Sequence, residues 1–263
     1  MRNLFIIPCI SALVFLSPAR AQGETIRDTI LPDLLPESTS GMIIRHTYYT
    51  FSYSEEHEQA EWVYFELTPA FIKGEEVADG VLREDPAVPT GSAVPEDYIG
   101  TEYLPGMLCP PDMMKLNKTA MSETFLMSNT TPVKENYMLK HLEEVVKSWV
   151  LREGRIVVIA GGVLTPDLPR IGANGISVPG KFYKVVLDTT GEMKMIAFAI
   201  PANAGSRPIE EFVVSVDYLE ELLQLDFFSG LDDQLEESLE IRTDFTAWDY
   251  TFMIGDVILE PID

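Results

Sequence analysis

The stretch that decides the fold reads NYMLKHLEEVVKSWVLREGRIVVIAGGVL and covers residues 136–164. Its first part predicts a helix over residues 136–151, because apolar side chains recur there every three or four positions on one face. Residues 155–164 follow with a run of branched apolar side chains that ends at Gly161 and Gly162. Such a run is typical of a buried strand.

Segments on both sides of this stretch predict further strands and helices. Strands are predicted at residues 43–53, 62–67, 182–187 and 195–200, and short acidic helices at 216–225 and 231–239. Residues 73–101 are rich in glycine and proline and predict a long loop. Strands and helices mix without strict alternation, so we expect an α+β fold with a mixed or antiparallel central sheet and flanking helices.

The N-terminal segment is typical of an export signal. Arg2 precedes an apolar run, and Ala19 and Ala21 form an A-x-A cleavage pattern. We therefore expect residues 1–21 to be a signal peptide, residues 22–42 a flexible leader, and the mature protein to be periplasmic or extracellular. Cys109 is then the only cysteine, which excludes an intrachain disulfide. No later segment is apolar enough to span a membrane.

The chain is strongly acidic. Its 263 residues hold 19 Lys and Arg against 42 Asp and Glu, a formal net charge of −23. Loss of residues 1–21, which contain two arginines and no acid, would change this charge to −25. A wide nucleic-acid-binding surface needs exposed Lys and Arg, so the charge disfavours one. A small basic cleft on an acidic body is still compatible with these numbers.

Residues 91–149 contain a series of short motifs in a fixed order. Tyr103-Leu104-Pro105-Gly106-Met107 is followed by Ser128-Asn129-Thr130-Thr131-Pro132 and then by Leu142-Glu143-Glu144. Together with flanking matches such as Phe182-Tyr183-Lys184, this order resembles the DNA/RNA non-specific endonuclease family. The resemblance covers residues 43–242 and implies a ββα-metal (His-Me finger) fold. Residues 243–263, rich in aromatics, are expected to pack back on that domain as an extension.

The resemblance implies phosphodiester hydrolysis with a divalent ion and a histidine base, but the catalytic motif is altered. In the family this motif reads Tyr-Asp-Arg-Gly-His. Here Leu104 and Pro105 replace the aspartate and the arginine, and Met107 stands at the position of the general-base histidine. Loss of a general base typically costs about 10²- to 10⁴-fold in rate. The family's upstream arginine is also missing between residues 74 and 82, and Arg83 is offset.

The resemblance places the metal-binding residues on the predicted helix. Glu143 takes the position of the family's glutamate, and the metal-binding asparagine falls at Glu135 or, with a shift of one residue, at Asn136. Asn136 and Glu143 lie seven residues apart, which would put both on one helix face. Lys147 replaces an arginine and is the expected phosphate contact. Mg²⁺ is the implied cofactor, while a solvated acidic helix face is the alternative interpretation of these residues.

Three hypotheses about function follow. The first is a catalytically degenerate, exported member of the family with a binding or structural role. The second is an active metal-dependent nuclease in which His46, His141 or a carboxylate such as Asp112 replaces the base. The third is a protein-binding module on the nuclease scaffold, with an unknown protein partner in place of DNA or RNA.

Overall fold

The computed structural model describes residues 34–77, 80–248, 252–254 and 257–259. The predicted signal peptide and most of the leader lie outside the described residues. The helices are α1 Pro69–Lys73, α2 Lys118–Glu123, α3 Tyr137–Glu153, α4 Val216–Leu223 and α5 Asp233–Glu240. The strands are β1 Ile43–Arg45, β2 Tyr49–Ser54, β3 Gln59–Leu67, β4 Leu104–Met107, β5 Thr130–Val133, β6 Ile156–Gly162, β7 Arg170–Ile171, β8 Ile176–Ser177, β9 Lys181–Asp188, β10 Lys194–Pro201, β11 Val213–Val214, β12 Phe252–Ile254 and β13 Val257–Leu259.

A seven-stranded antiparallel sheet forms the centre of the fold. Its strand order is β1-β2-β3-β6-β9-β10-β11, so the central strand β6 pairs with β3 on one side and β9 on the other. The inner strands are rich in Val, Ile and aromatic residues, which fit a pleated and buried surface. The α+β prediction with an antiparallel central sheet and flanking helices is confirmed.

Helix α3 packs along one face of this sheet. The side chain of Asn136 caps its first turn, and Gly154 ends it with a φ of +101°, a backbone conformation that favours glycine. Six apolar side chains of α3 are buried: Met138, Leu142, Val145, Val146, Trp149 and Val150. Full burial of each such side chain contributes about 1.5–3 kcal/mol, so this face fixes how the helix is rotated on the sheet.

A two-stranded hairpin, β4 and β5, precedes α3 and was missed by the sequence analysis. Pro105 pairs with Pro132 across it, and Leu104 pairs with Val133. Proline cannot donate a ladder hydrogen bond, so both segments carried a signal against strand structure. The hairpin together with α3 gives the ββα arrangement that the resemblance implied.

The remaining predicted elements are close to the observed ones. The predicted strand at residues 43–53 is in fact two strands, because the segment between β1 and β2 turns back at His46–Tyr49. In the predicted leader, the backbone carbonyl of Glu37 accepts a hydrogen bond of 2.7 Å from the Trp62 indole. Near the chain end, the Trp248 ring lies 4.7 Å from that of Trp149. Among the described residues, no helix combines the length and apolarity that crossing a membrane requires.

The side chain of Asn129 fixes the chain that leaves β4. Its Oδ1 accepts a hydrogen bond from the Cys109 amide at 2.9 Å, and its Nδ2 donates to the carbonyls of Cys109 and Thr124. Asn129 is fully buried, so water cannot replace these bonds. The amide therefore ties the hairpin to the loop after α2.

We predict that Asn129→Ala lowers the free energy of unfolding by about 3 kcal/mol or more, because it leaves three buried backbone groups without partners at about 1–3 kcal/mol each. Urea unfolding followed by tryptophan fluorescence measures this change. Asn203→Ala, at an exposed asparagine, is the matched control and should change stability by less than about 0.5 kcal/mol. Equal effects of the two substitutions would contradict this role for Asn129.

Candidate active-site cleft

A cleft of about 560 Å³ opens between the β4–β5 hairpin, α3 and the sheet. We call it the hairpin cleft. Its apolar walls include Leu104, Pro105, Met107, Leu108, Pro110, Pro111, Val133 and Leu139. Its ionisable or amide side chains are Asp112, Lys134, Glu135, Asn136, Lys140, Glu143 and Lys184. The structure thus brings Met107, Asn136 and Glu143 to one cavity, although they lie on different elements.

The two strands of the hairpin pack closely against each other, and this packing positions Met107 in the wall of the cleft. A β-carbon added at Gly106 would lie 2.8 Å from both methyl groups of Val133, a distance that real side chains avoid. Glycine therefore lets β4 approach β5 and hold the neighbouring Met107, which is half-buried at the cleft. The thioether of methionine has no basic lone pair comparable to imidazole, so this position cannot take a proton from water.

No histidine lines the hairpin cleft among the described residues. The Nε2 of His46 donates a hydrogen bond of 2.8 Å to the Asp85 carboxylate, and the His46 ring packs 5.6 Å from the Phe51 ring. His141 stacks on Tyr137 with a ring separation of 5.9 Å and is not among the lining residues. Neither of the two histidines considered as a substitute base is therefore in the cleft, whereas Asp112 is.

Asn136 lies at the N-terminus of α3, where its side chain is already engaged. Its Oδ1 accepts hydrogen bonds from the amides of Met138 at 3.0 Å and Leu139 at 3.4 Å. Its Nδ2 donates to the carbonyls of Pro201 and Ala202, both at 3.3 Å. The amide oxygen, the atom that would ligate a cation, is the helix cap. Glu135, the other candidate, points to solvent at the cleft rim.

Glu143 lies in the cleft opposite a buried lysine. Burial raises the pKa of Glu143 to about 7, with Asp112 and Glu144 raising it further and Lys184 and Lys147 opposing them. Lys184 is only 7% exposed, and burial lowers its pKa although the Glu143 charge works against that shift. The sequence analysis gave Lys184 no role. The signal for it was a lone lysine in the otherwise apolar run from Phe182 to Leu187.

Lys147, the predicted phosphate contact, already has two acidic partners. Its Nζ lies 2.5 Å from an Asp112 oxygen and 2.5 Å from a Glu144 oxygen. Burial lowers the pKa of Lys147, but the hydrogen bonds to the two carboxylates outweigh burial and raise it. Lys147 is not among the residues that line the cleft. Its charge is balanced by the two carboxylates beside the cleft and does not face the cavity.

These residues do not fit a divalent-cation site as they stand. Mg²⁺ needs several oxygen ligands in octahedral geometry. Here the Asn136 oxygen accepts two amide hydrogen bonds, Asp112 is paired with Lys147, and Lys184 places a cation beside Glu143. In the described part of the chain, three acidic, histidine or cysteine side chains come close enough to share an ion only at Asp217, Glu220 and Glu240. The assignment of Asn136, Glu143 and Lys147 stays a prediction.

Comparison with solved structures identifies the same architecture. A complex described as "Crystal structure of the EndoG/EndoGI complex: Mechanism of EndoG inhibition" contains a chain that matches this one with a TM-score of 0.68. The match covers 73% of this chain and 88% of the other, at 23% sequence identity. At that identity the likeness concerns the fold.

Sequence comparison finds named nucleases. The mouse (Mus musculus) protein "Nuclease EXOG, mitochondrial" is 28% identical over 240 residues, covering 81% of this chain and 64% of that protein. The human protein of the same name is 29% identical over 57% of its own length, so this chain spans less than two thirds of both relatives. A "Nuclease" from Syncephalastrum racemosum is 26% identical, covering 72% of this chain and 68% of that protein.

The sequence model of one family matches most of the chain. It is described as DNA/RNA non-specific endonuclease, and the match runs over residues 28–234. The ββα arrangement of β4, β5 and α3 and the seven-stranded sheet agree with this assignment. This chain therefore belongs to the DNA/RNA non-specific endonuclease family.

Proposed function

We propose that this protein is an exported member of its family in which phosphodiester hydrolysis is lost or strongly impaired. The observation that carries the proposal is Met107 at the position of the general base, in a cleft whose described lining has no histidine. In this proposal residues 1–21 are a signal peptide, 22–42 a leader, 43–242 the nuclease-like domain and 243–263 a C-terminal extension. The scaffold then serves binding and not turnover.

The electrostatics of the cleft support impaired catalysis. Cleavage of a phosphodiester needs cationic groups that stabilise the charge developing on the phosphate. Lys147 forms ion pairs with Asp112 and Glu144, and Pro105 replaces an arginine of the family motif. Arg83, the basic residue nearest to the expected upstream arginine, donates to the Ser122 carbonyl and is not part of the lining. A chain of net charge −23 also repels a polyanion at long range.

An active metal-dependent nuclease with a different base is the second candidate. Asp112 lines the same cleft as Glu143 and is the carboxylate that would take the proton from water. For this role Asp112 would have to leave its 2.5 Å ion pair with Lys147. Lys184, whose charge already acts on Glu143, would also repel Mg²⁺ or a similar ion there, so the arrangement favours the first candidate.

A protein-binding role is a third candidate and is compatible with the first. The cleft walls are mostly apolar, and Leu104 at their edge is 61% exposed. Apolar surface of this kind binds apolar side chains better than phosphates. The related solved structure is described as a complex of a nuclease with a second protein, EndoGI. In this candidate the partner contacts the cleft in place of nucleic acid.

We predict that the purified protein nicks supercoiled plasmid very slowly, or not at all, in Mg²⁺ or Mn²⁺. Without a base the rate should be at least about 10²-fold below that of a family member with the complete motif, measured beside it by gel electrophoresis. Plasmid is the suitable substrate because a single cut in a supercoiled circle is visible.

Glu143→Ala controls for a contaminating nuclease in that assay. Residual cleavage that is equal in the wild type and Glu143→Ala comes from contamination and agrees with the proposal. Rapid cleavage that Glu143→Ala abolishes would overturn it. In that case Asp112→Asn tests the second candidate, because loss of the cleavage would identify Asp112 as the base.

We predict that Glu143→Gln stabilises the protein at pH 8 but not at pH 4. The folded-state pKa of Glu143 is raised to about 7, whereas an unfolded glutamate titrates near 4.3. Its contribution to stability is therefore fully present below about pH 4.3 and is lost as the pH rises to about 7. The difference in melting temperature between the variant and the wild type should grow by about 2–4 °C from pH 4 to pH 8.

Glu221→Gln, at an exposed glutamate of α4, is the matched control and should show no such growth. The same melting curves with MgCl₂ test the metal prediction independently of catalysis. A bound cation would lower the pKa of Glu143 and flatten the difference between pH 4 and pH 8. Without metal, a difference in melting temperature between Glu143→Gln and the wild type that is the same at pH 4 and pH 8 would contradict the raised pKa that we assign to Glu143.

A further inference from the structure

Three acidic side chains of α4 and α5, outside the family motif in sequence, converge where both helices lie against β10. Asp217 and Glu220 lie one turn apart on α4, and Glu240 is the last residue of α5. One carboxylate oxygen of each lies within 4.8 Å of the other two. We call these three residues the α4–α5 cluster. None of them lines the hairpin cleft.

The carboxylate of Glu240 distinguishes this cluster from an ordinary acidic surface. Glu240 is only 7% exposed, and its Oε1 is buried without a hydrogen-bond partner. Asp217 is exposed and Glu220 is half-buried, so the buried carboxylate lies at the inner end of the cluster. A buried carboxyl oxygen without a partner costs free energy, and such groups are normally hydrogen-bonded or bound to a cation.

The described residues supply no counter-charge. None of their lysines or arginines forms an ion pair with Asp217, Glu220 or Glu240. The nearby Lys181 is directed to the Tyr218 hydroxyl at 3.3 Å. Arg242 donates to the Ser238 carbonyl at 2.9 Å. The Phe227 amide donates a hydrogen bond to Glu220 at 2.8 Å. Glu220 and Glu240 also form a side-chain hydrogen bond with each other, through their two carboxyl groups.

We propose that Asp217, Glu220 and Glu240 form a binding site for a divalent cation, with Ca²⁺ as the best match. Ca²⁺ takes carboxylate oxygens at about 2.3–2.6 Å, so two ligands on opposite sides of the ion can be up to about 5 Å apart. The observed limit of 4.8 Å meets this condition without movement of either helix. Mg²⁺ binds at about 2.0–2.1 Å in strict octahedral geometry, which carboxylates on two separate helices satisfy less easily than the flexible geometry of Ca²⁺.

The neighbours of the cluster make a cation more favourable still. Asp226 and Glu236 are close enough to act electrostatically on its carboxylates, and a second buried oxygen without a partner belongs to Glu236. Burial, and then Glu220 and Glu236, raise the pKa of Glu240 to about 8. A divalent cation would bring more positive charge to these neighbouring carboxylates than a single proton does.

The proposed site links the last described helix to the body of the domain. α5 follows α4 after a loop in which Gln224 and Phe228 adopt positive φ angles of +56° and +60°. A cation held by both helices would fix α5 in place and raise stability. This role does not depend on whether the hairpin cleft is active, so the two proposals can fail separately.

The test is thermal unfolding of the purified protein with increasing CaCl₂ at pH 8 and constant ionic strength, with isothermal titration calorimetry to count the sites. We expect a saturable rise in melting temperature of about 5–10 °C at a Ca²⁺ concentration 100-fold above Kd. One Ca²⁺ should bind per chain, and Mg²⁺ should give a smaller shift. The rise should persist in Glu143→Gln, which separates this site from the hairpin cleft.

Glu240→Gln and Glu220→Gln should each weaken Ca²⁺ binding at least tenfold. Glu221→Gln, at an exposed position of the same helix, removes the same charge outside the cluster and should leave the response unchanged. Glu240→Gln relieves repulsion, so it should fold and melt no lower than the wild type without Ca²⁺. The proposal is overturned if the wild type shows no saturable shift, which would mean that protons alone hold the cluster. It is also overturned if Glu240→Gln responds to Ca²⁺ as strongly as the wild type and the control Glu221→Gln do.

Discussion

The packing of α3 on the central sheet is the contact on which the rest of the structure depends. The apolar face of the helix is buried against strands of the sheet, with Trp149 stacked near Phe198 at 6.2 Å and near Trp248. Because that face fixes the rotation of the helix, it also fixes where the polar residues of the same helix point. Glu143 is directed into the hairpin cleft and Lys147 towards Asp112 as a consequence of apolar burial.

The elements that the sequence predicted well are those with strong periodicity. Residues 136–151 and 155–164 were predicted almost to their observed ends, because each repeats apolar side chains at one spacing. The β4–β5 hairpin was missed because Pro105 and Pro132 argue against strands when each is considered alone. Only the register, which places the two prolines opposite each other, shows how both are tolerated.

Site residues were harder to predict than the fold, because the same side chain can serve two purposes. Asn136 was assigned to a metal from its spacing to Glu143, while its position also suits a helix cap, and the observed hydrogen bonds are those of a cap. Spacing along a helix predicts which residues share a face, but not which hydrogen bonds already engage them. Asp217 and Glu240 are remote in sequence, and they meet because α4 and α5 both contact β10, which no local pattern encodes.

The half-buried Glu143 and the buried Glu240 show how this acidic chain accommodates carboxylates away from solvent. Glu143 and Glu240 both have a pKa raised by burial, to about 7 and about 8. Lys184 lies beside Glu143 and moderates the shift there, whereas the neighbours that act most strongly on Glu240 are the acids Glu220 and Glu236. With 42 acids against 19 bases, the chain has too few cations to pair every carboxylate. The hairpin cleft, where the family's chemistry would require an external cation, contains an internal one. The α4–α5 cluster, to which the family's motifs assign no chemistry, has no ion pair with a lysine or arginine of the described residues.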